Sequence, residues 1–256
     1  MIHLLNKVNK ETINMKTPKD FSKNKKNQFW NKEYQDAKYL ALSEDPSSDL
    51  LSFVKWVNRN SEWPAFSQGG FVLDIGCGNG RNIGNLCEQY HMKGLGFDIS
   101  DTAIAQAKEK FVKIRNLNFV KESMFNPVNL PSQSVDVILD MMVIHFLDDA
   151  KRLSYIKDKA NLLKPFGWML LKTFVLENDQ NAIRMIKDFP TPDKEHNSYI
   201  HPKFKALEHV FTEDEIDELF SPYFIIHKKI KSYKHFKDGK PYKRRTICVY
   251  LERKRD

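Results

Sequence analysis

Two short apolar runs inside residues 70–100 each stop at residues suited to meet something outside the chain, and no other stretch limits the fold so tightly. Phe71, Val72, Leu73 and Ile75 read as a buried strand that ends at Gly76-Cys77-Gly78-Asn79-Gly80. Glycines let a backbone turn sharply and lie against a ligand. The second run, Leu95-Gly96-Phe97, ends at Asp98, ahead of Ile99 and Ser100. In a doubly wound α/β sheet, that is where a carboxylate faces the two hydroxyls of a ribose. An ionised carboxylate only accepts hydrogen bonds, and a ribose diol offers two donors. The stretch therefore reads as a nucleotide-type cofactor site.

Glycine spacing narrows the cofactor. A dinucleotide fingerprint is G-x-G-x-x-G, and counted from Gly76 and Gly78 its third glycine falls on Arg81. The chain instead reads Asp74-x-Gly76-x-Gly78-x-Gly80. At these residues, and at the acid Asp98 closing the next strand, it resembles the class I S-adenosylmethionine-dependent methyltransferases. The resemblance covers residues 70–175 well and the ends in outline. It implies a doubly wound α/β fold: a seven-stranded, mostly parallel sheet with helices on both faces and a C-terminal antiparallel hairpin. It also implies that Asp74, Gly76, Cys77, Gly78, Gly80, Asp98 and Ile99 bind S-adenosylmethionine, with Cys77 a small residue tolerated in the turn.

The rest of the core follows the same alternation. Asn82–Tyr90 is expected as a helix with Ile83, Leu86 and Cys87 inward, its free N–H groups pointing at the cofactor. Ser100 or Asp101 caps a helix whose stripe is Ile104, Ala107, Phe111 and Ile114. Asn118–Met124 is a third strand and its exit. By resemblance Glu122 there bonds the adenine amino group, and Ser123 or Met124 offers a backbone N–H to the ring edge. A fourth strand starts at Ser134. By resemblance the residues at its end face the transferred methyl, which places Asp140 and His145 near the reaction; Asp140 departs from the small or neutral residue often found there. Lys164-Pro165-Phe166-Gly167 is expected to break the chain before a fifth strand at Trp168.

Outside this core, residues 1–28 read as a mobile basic arm. Trp30, Tyr34 and Ala37 share one helical face, with Tyr39 and Leu40 beyond. The resemblance implies that Trp30 and Tyr34 close over the methionine end of the cofactor; simple packing on the sheet is the alternative. Leu50, Leu51, Val54 and Val57 mark an amphipathic helix. Residues 177–210 interrupt the alternation, and an insertion there tends to cover a substrate mouth. His196, Tyr199 and His201 are its candidate substrate contacts, and His201, Asp140 and His145 the candidate catalytic groups. Thr212-x-x-Glu215 is a capping box. Strands over 223–230 and 246–251 enclose a turn at Asp238-Gly239, so that residues 29–256 make one domain.

Methyl transfer is an in-line displacement that rests on positioning, and it needs a general base only for a protonated acceptor. Glu208 and His209 join the possible bases. With His196 and His201 they do not have a zinc spacing, and no metal is expected. The three cysteines form no C-x-x-C pair, which fits a reducing, cytoplasmic setting. No run of 18 apolar residues is present, so no membrane span is expected. The compact insertion favours a small-molecule methyl acceptor. The alternative acceptor is RNA or protein, held by basic residues Lys16, Lys19, Lys23, Lys25 and Lys26 and by Lys234, Lys237, Lys240, Lys243, Arg244 and Arg245, since the formal charge is +8. A cofactor-binding regulatory module without turnover is a third reading.

Overall fold

The computed structural model describes residues 28–38, 42–124, 126, 129–203, 205–232, 235–237, 240–242 and 244–255, with 235–237 and 240–242 given as backbone. The arm lysines, Tyr39, Leu40, Asp238-Gly239 and the side chains of Lys234, Lys237, Lys240 and Lys243 lie outside the described residues. Helix α1 spans 28–35. Then follow α2 (Ser48–Asn60), β1 (Phe71–Ile75), α3 (Arg81–Tyr90), β2 (Lys93–Asp98), α4 (Asp101–Lys110), β3 (Leu117–Lys121) and β4 (Val135–Met141). After a 3-10 turn at Ile144–Phe146 come α5 (Asp149–Leu162), β5 (Leu163–Phe174), α6 (Gln180–Asp188), β6 (Ser198–Ile200), β7 (Leu207–His209) and α7 (Glu213–Phe220). The chain closes with β8 (Phe224–Ser232), β9 (His235–Lys237), β10 (Lys240–Tyr242) and β11 (Thr246–Arg253).

Seven strands form one sheet in the order β3-β2-β1-β4-β5-β11-β8. The first five run parallel, with Leu73 opposite Leu95 on one side and Ile138 on the other. β11 is antiparallel to both its neighbours. Strands buried on both faces read as continuous apolar runs, which is why β1 and β4 show no alternation. One face packs Leu73, Ile75, Ile138 and Met169 against Ile156 of α5 and Ile216 of α7. The other packs Val72, Val137 and Leu170 against Phe53 of α2, Ile83 of α3 and Ile104 of α4. Each fully buried Leu or Ile contributes about 1.5–3 kcal/mol, so the strand ends are held in place by the core whether or not a ligand is bound.

Helix starts are fixed by side chains. Ser100 Oγ accepts from Ala103 N at 3.1 Å, Asp148 Oδ1 from Lys151 N at 3.0 Å, and Thr212 Oγ1 from Glu215 N at 3.1 Å. Three sequence expectations shift. α4 stops at Lys110, short of Phe111 and Ile114, because the chain must turn to lay the Phe111 ring over Gly84; a Cβ at 84 would lie 2.2 Å from that ring. α1 stops before Ala37, which is exposed. Lys164–Gly167 does not precede β5 but bulges from it: pairing with β4 jumps from Leu163↔Val135 to Trp168↔Val137, with Phe166 at φ +65°. At the end of the chain, β9 and β10 pair Lys237 with Lys240, and β8 and β11 form the antiparallel pair that the sequence led us to expect.

Candidate active site

Because β1, β2, β4 and β5 are parallel, their C-terminal ends share one edge of the sheet, and the candidate residues gather there. After β1 the backbone enters the left-handed region three times, at Gly76 (φ +66°), Gly78 (φ +56°) and Gly80 (φ +77°). These positions are also crowded. A Cβ at 76 would lie 2.4 Å from Val143 Cγ2, and one at 78 would lie 2.2 Å from Tyr34 Oη. Only glycine meets both demands. Cys77 N–H bonds Phe97 O at 3.0 Å, which ties the bend to β2.

Two carboxylates face this bend. Asp98 Oδ2 accepts from Gly78 N at 3.1 Å and Oδ1 from Ser100 N at 2.8 Å. Burial nonetheless raises its pKa, against the lowering by those N–H groups. Asp74 is buried, and its Oδ2 has no hydrogen-bond partner among the described residues. Burial, then the charge of Asp98, holds the Asp74 carboxyl well above the usual range. A buried carboxylate oxygen without a partner is costly, and an ammonium group beside it would relieve both effects. α3 follows its N-cap Gly80, which has no side chain to cap it; in its first turn Arg81 N donates to Asn79 Oδ1 at 3.4 Å and the Ile83 N–H bonds the Asp74 carboxyl, so the positive end of the helix is turned toward the same space. The donors and acceptors present thus match a ligand with an amino-acid end and a ribose.

Helix α1 covers the bend. Asn31 Oδ1 accepts from Ser100 Oγ at 2.8 Å, and Gln106 Nε2 donates to Tyr34 O at 2.9 Å. Tyr34 therefore lies over Gly78, and its hydroxyl is kept protonated by burial and by Asp98. The Trp30 ring meets Phe146 edge to face at 5.8 Å. Glu122 N donates to Asp98 O at 3.0 Å, which sets Glu122 beside the end of β2. Its Oε1 accepts from Ser123 N at 2.7 Å. Ile99, Ser123 and Met124 are half-buried around this edge. Cys77 is buried, and burial, then Asp74, raises its thiol well above the ordinary range, so it stays unreactive.

Beyond β4 a second group of side chains is assembled from distant parts of the chain. Met142 takes φ +72°, and Asp140 braces the turn: Oδ1 accepts from Val143 N (3.2 Å) and Ile144 N (3.1 Å), and Oδ2 from Tyr155 Oη (2.7 Å). Its pKa is pushed up to about 6 by burial, opposed by these donors. Three internal donors leave Asp140 as an anchor of the turn rather than a group aimed at a ligand. His145 is 2% exposed, with its ring edge to face on Phe174 at 4.8 Å and no hydrogen-bond partner for Nδ1 among the described residues. Burial, then Arg244, then His209, lowers its pKa well below the usual value, so it is neutral at pH 7.

Arg244 is the residue that sequence reasoning misplaced. Expected on a phosphate-tracking surface, it is 5% exposed, and its guanidinium carbon sits 3.6 Å from the centre of the Phe174 ring. Nη1 donates to Tyr199 Oη at 2.6 Å and to Glu208 Oε2 at 3.3 Å, and Tyr199 Oη donates to Glu208. Tyr199 is accordingly inside the protein, not on the rim of a mouth. His201 is half-buried, and its pKa falls to about 4 through burial, then Arg244, Lys203 and Lys205. His196 is exposed. No local pattern marked Arg244; it ends a lysine-rich run just before a buried strand.

His209 has both ring nitrogens engaged, Nδ1 with Ser198 Oγ (2.8 Å) and Nε2 with Glu215 (2.8 Å). Together with Asp149 and Glu195 it places three possible metal-ligand atoms within 4.8 Å of one another. The Arg152 guanidinium already bonds Asp149, Glu195 and Glu215 there, so a cation of the protein's own balances those acids.

Comparison with known proteins supports the fold. Residues 72–167 match the family model of a methyltransferase domain. Over 131 residues, 48% of this chain, it is 30% identical to the tRNA (carboxymethyluridine(34)-5-O)-methyltransferase ALKBH8 of Macaca fascicularis. Over 148 residues, 55% of the chain, it is 30% identical to the tRNA U34 carboxymethyltransferase of Photobacterium profundum. The matches span 18% and 43% of those two proteins, less than half of either. Among solved structures, the Burkholderia thailandensis 1,6-didemethyltoxoflavin-N1-methyltransferase, with its substrate and S-adenosylhomocysteine bound, aligns with a TM-score of 0.65 at 14% identity, covering 96% of this chain and 94% of that one. A Methanosarcina mazei S-adenosylmethionine-dependent methyltransferase aligns at 0.64 and 19% identity, covering 83% of this chain and 100% of that one.

Proposed function

We infer that this chain, a class I S-adenosylmethionine-dependent methyltransferase, passes its methyl group to a nucleoside of RNA, with a wobble-position uridine of tRNA as the target. One observation carries the choice of acceptor: the curated relatives at 30% identity are named for action at uridine 34 of tRNA. The small-molecule acceptor expected from the compact insertion has only fold-level support, since the structural neighbour that holds such a substrate is 14% identical. A formal charge of +8 suits a polyanionic partner.

When bound, S-adenosylmethionine supplies a methyl group activated by a sulfonium. We assign Asp74 and the Gly76–Gly80 bend to its amino-acid end, Asp98 to the ribose, and Glu122, Ser123 and Met124 with Ile99 to the adenine. Trp30 and Tyr34 exclude water from above. Asp140 keeps the turn after β4 in shape. His145, neutral and next to that turn, faces the acceptor, while His201 and Tyr199 support it from the insertion. Positioning of this kind is enough for an in-line displacement.

The test is a labelling assay with methyl-labelled cofactor, offered total tRNA and a metabolite extract in parallel. Label should appear in tRNA, at one nucleoside after digestion, and should fall steeply with added salt. Label confined to small molecules would return the acceptor to the sequence-based expectation.

A further inference from the structure

A lysine is almost never fully buried unless its ammonium is paired, and Lys159 of α5 breaks that rule. It is 3% exposed, although Asp158 and Asn161 beside it on the helix are exposed. Its Nζ lies over the face of the Tyr155 ring, 4.7 Å from the ring centre, and among the described residues it makes no hydrogen bond and no ion pair. Asp158 and Asp140 act on it only through their charges; burial outweighs them and lowers the pKa of the amine. The other buried cations are treated differently. Arg152 bonds three acids, and Arg244 bonds Tyr199 and Glu208. An ammonium taken out of water without an acceptor is costly, so the space it faces is informative. Between β3 and β4 the described residues form no helix, and beside α5 there is a cavity of about 400 Å³ that Lys159 lines. Met124, Leu147, Tyr155 and Leu162 give it apolar walls, and Ser132 and Asn161 add a hydroxyl and an amide. That volume is in the range of small-molecule sites. Of the residues assigned above to the cofactor, Met124 alone is among those lining it, so the cavity adjoins the cofactor position without being part of it.

We propose that this cavity binds a small organic molecule with a single negative charge, an aliphatic or aromatic monocarboxylate, its charged group on the Lys159 ammonium and its apolar body against Met124, Leu147 and Leu162. The molecule is a ligand held beside the cofactor rather than the group that receives the methyl, and the inference does not depend on the acceptor assigned above. Local charge sets the class of ligand. Lys151, the other cation of the lining, is already paired with Asp148, which leaves one ammonium to meet an anion directly. A second negative charge on the same ligand, as on a phosphate monoester, would face Asp158 and, behind the Tyr155 ring, Asp140. A carboxylate gives Lys159 the acceptor it lacks, and a charge-assisted bond of this kind is about twice as strong as one between neutral groups. The hydrocarbon part is needed as well, since three of the walls offer nothing but apolar surface.

The experiment is an NMR titration of the whole chain, carbon-labelled at its methionine methyl groups, with hexanoate, with its neutral amide hexanamide and with hexyl phosphate, just above neutral pH. Met124 reports on the cavity, and Met124→Leu identifies its signal. That signal should move to saturation with hexanoate, at an affinity about tenfold or more above that for hexanamide, as one charge-assisted bond requires. Hexyl phosphate, mostly doubly charged at this pH, should bind more weakly than hexanoate. Lys159→Leu replaces a buried charge by an apolar side chain, a change that folded proteins tolerate, and should bring hexanoate to within about threefold of hexanamide. Saturation with S-adenosylhomocysteine should leave the hexanoate titration as it was. A Met124 signal that does not respond to hexanoate, or equal binding of hexanoate and hexanamide by the wild-type chain, would overturn the proposal, and neither comparison needs a variant to fold. A preference for hexanoate that survives Lys159→Leu would overturn it as well. Tighter binding of hexyl phosphate would reject the singly charged ligand, and loss of the titration under S-adenosylhomocysteine would put hexanoate in the cofactor site instead.

Discussion

The two ends of the site are built by different means. At the glycine bend the candidate site is mostly backbone: N–H groups and crowded Cα atoms at 76, 78 and 80, fixed by a strand on either side. At the Phe174 end it is an assembly of side chains, brought from 145, 174, 199, 208 and 244. A backbone site has its instructions in one contiguous stretch. A side-chain site can be respecified by changing one residue, but the residues that make it lie as much as a hundred positions apart.

If that contrast is right, each end should fail separately, beginning with the cofactor end. Asp98→Ala should lower affinity for S-adenosylhomocysteine by about 100-fold or more, from two lost bonds to a charged oxygen pair, and leave acceptor binding intact. Calorimetry with each ligand measures both, and a joint loss would erase the contrast. Asp140 stands between the ends. Its folded pKa of about 6 lies above the ordinary 3.8, so the fold prefers its protonated form; the stability this preference gives is present in full below about pH 4 and is lost as pH rises through about 6. Relative to Asp140→Asn, the wild type should lose about 3 kcal/mol of stability between pH 4 and 7. Urea unfolding of both proteins across that range decides; a constant difference would mean that Asp140 is not so buried.

How far the sequence revealed each end follows the same division. The bend at Gly76, Gly78 and Gly80 was readable because a left-handed turn after a buried strand has few solutions. The parallel order and the closing antiparallel strands were readable from apolar runs and from the resemblance they carried. Arg244 was not, because a basic residue in a lysine-rich run looks the same whether it faces water or the core. Tyr199 and His145 were picked out, yet Tyr199 was expected on a rim, whereas it is fully buried. Asp140 was singled out for its unusual charge, and only the fold revealed the three donors that use it.

Two smaller effects sharpen the contrast. Tyr199→Phe removes the hydroxyl between Glu208 and Arg244 and should cost about 1–2 kcal/mol in stability. The KM for the acceptor should rise while cofactor affinity stays level; an unchanged KM would make the cluster a brace for the insertion alone. Trp30→Ala should weaken cofactor binding by roughly fivefold, about 1 kcal/mol for one aromatic contact. Its melting temperature should not change, since α1 lies outside the main core. A cofactor affinity equal to wild type would remove α1 from the site.

The most direct test is a calorimetric titration of the wild-type chain with S-adenosylhomocysteine. The account predicts saturable binding of one molecule per chain, with an affinity in the range of about 1–100 μM expected of a working cofactor site, abolished in Asp98→Ala. Absence of binding heat at several temperatures, from protein that unfolds cooperatively, would contradict it.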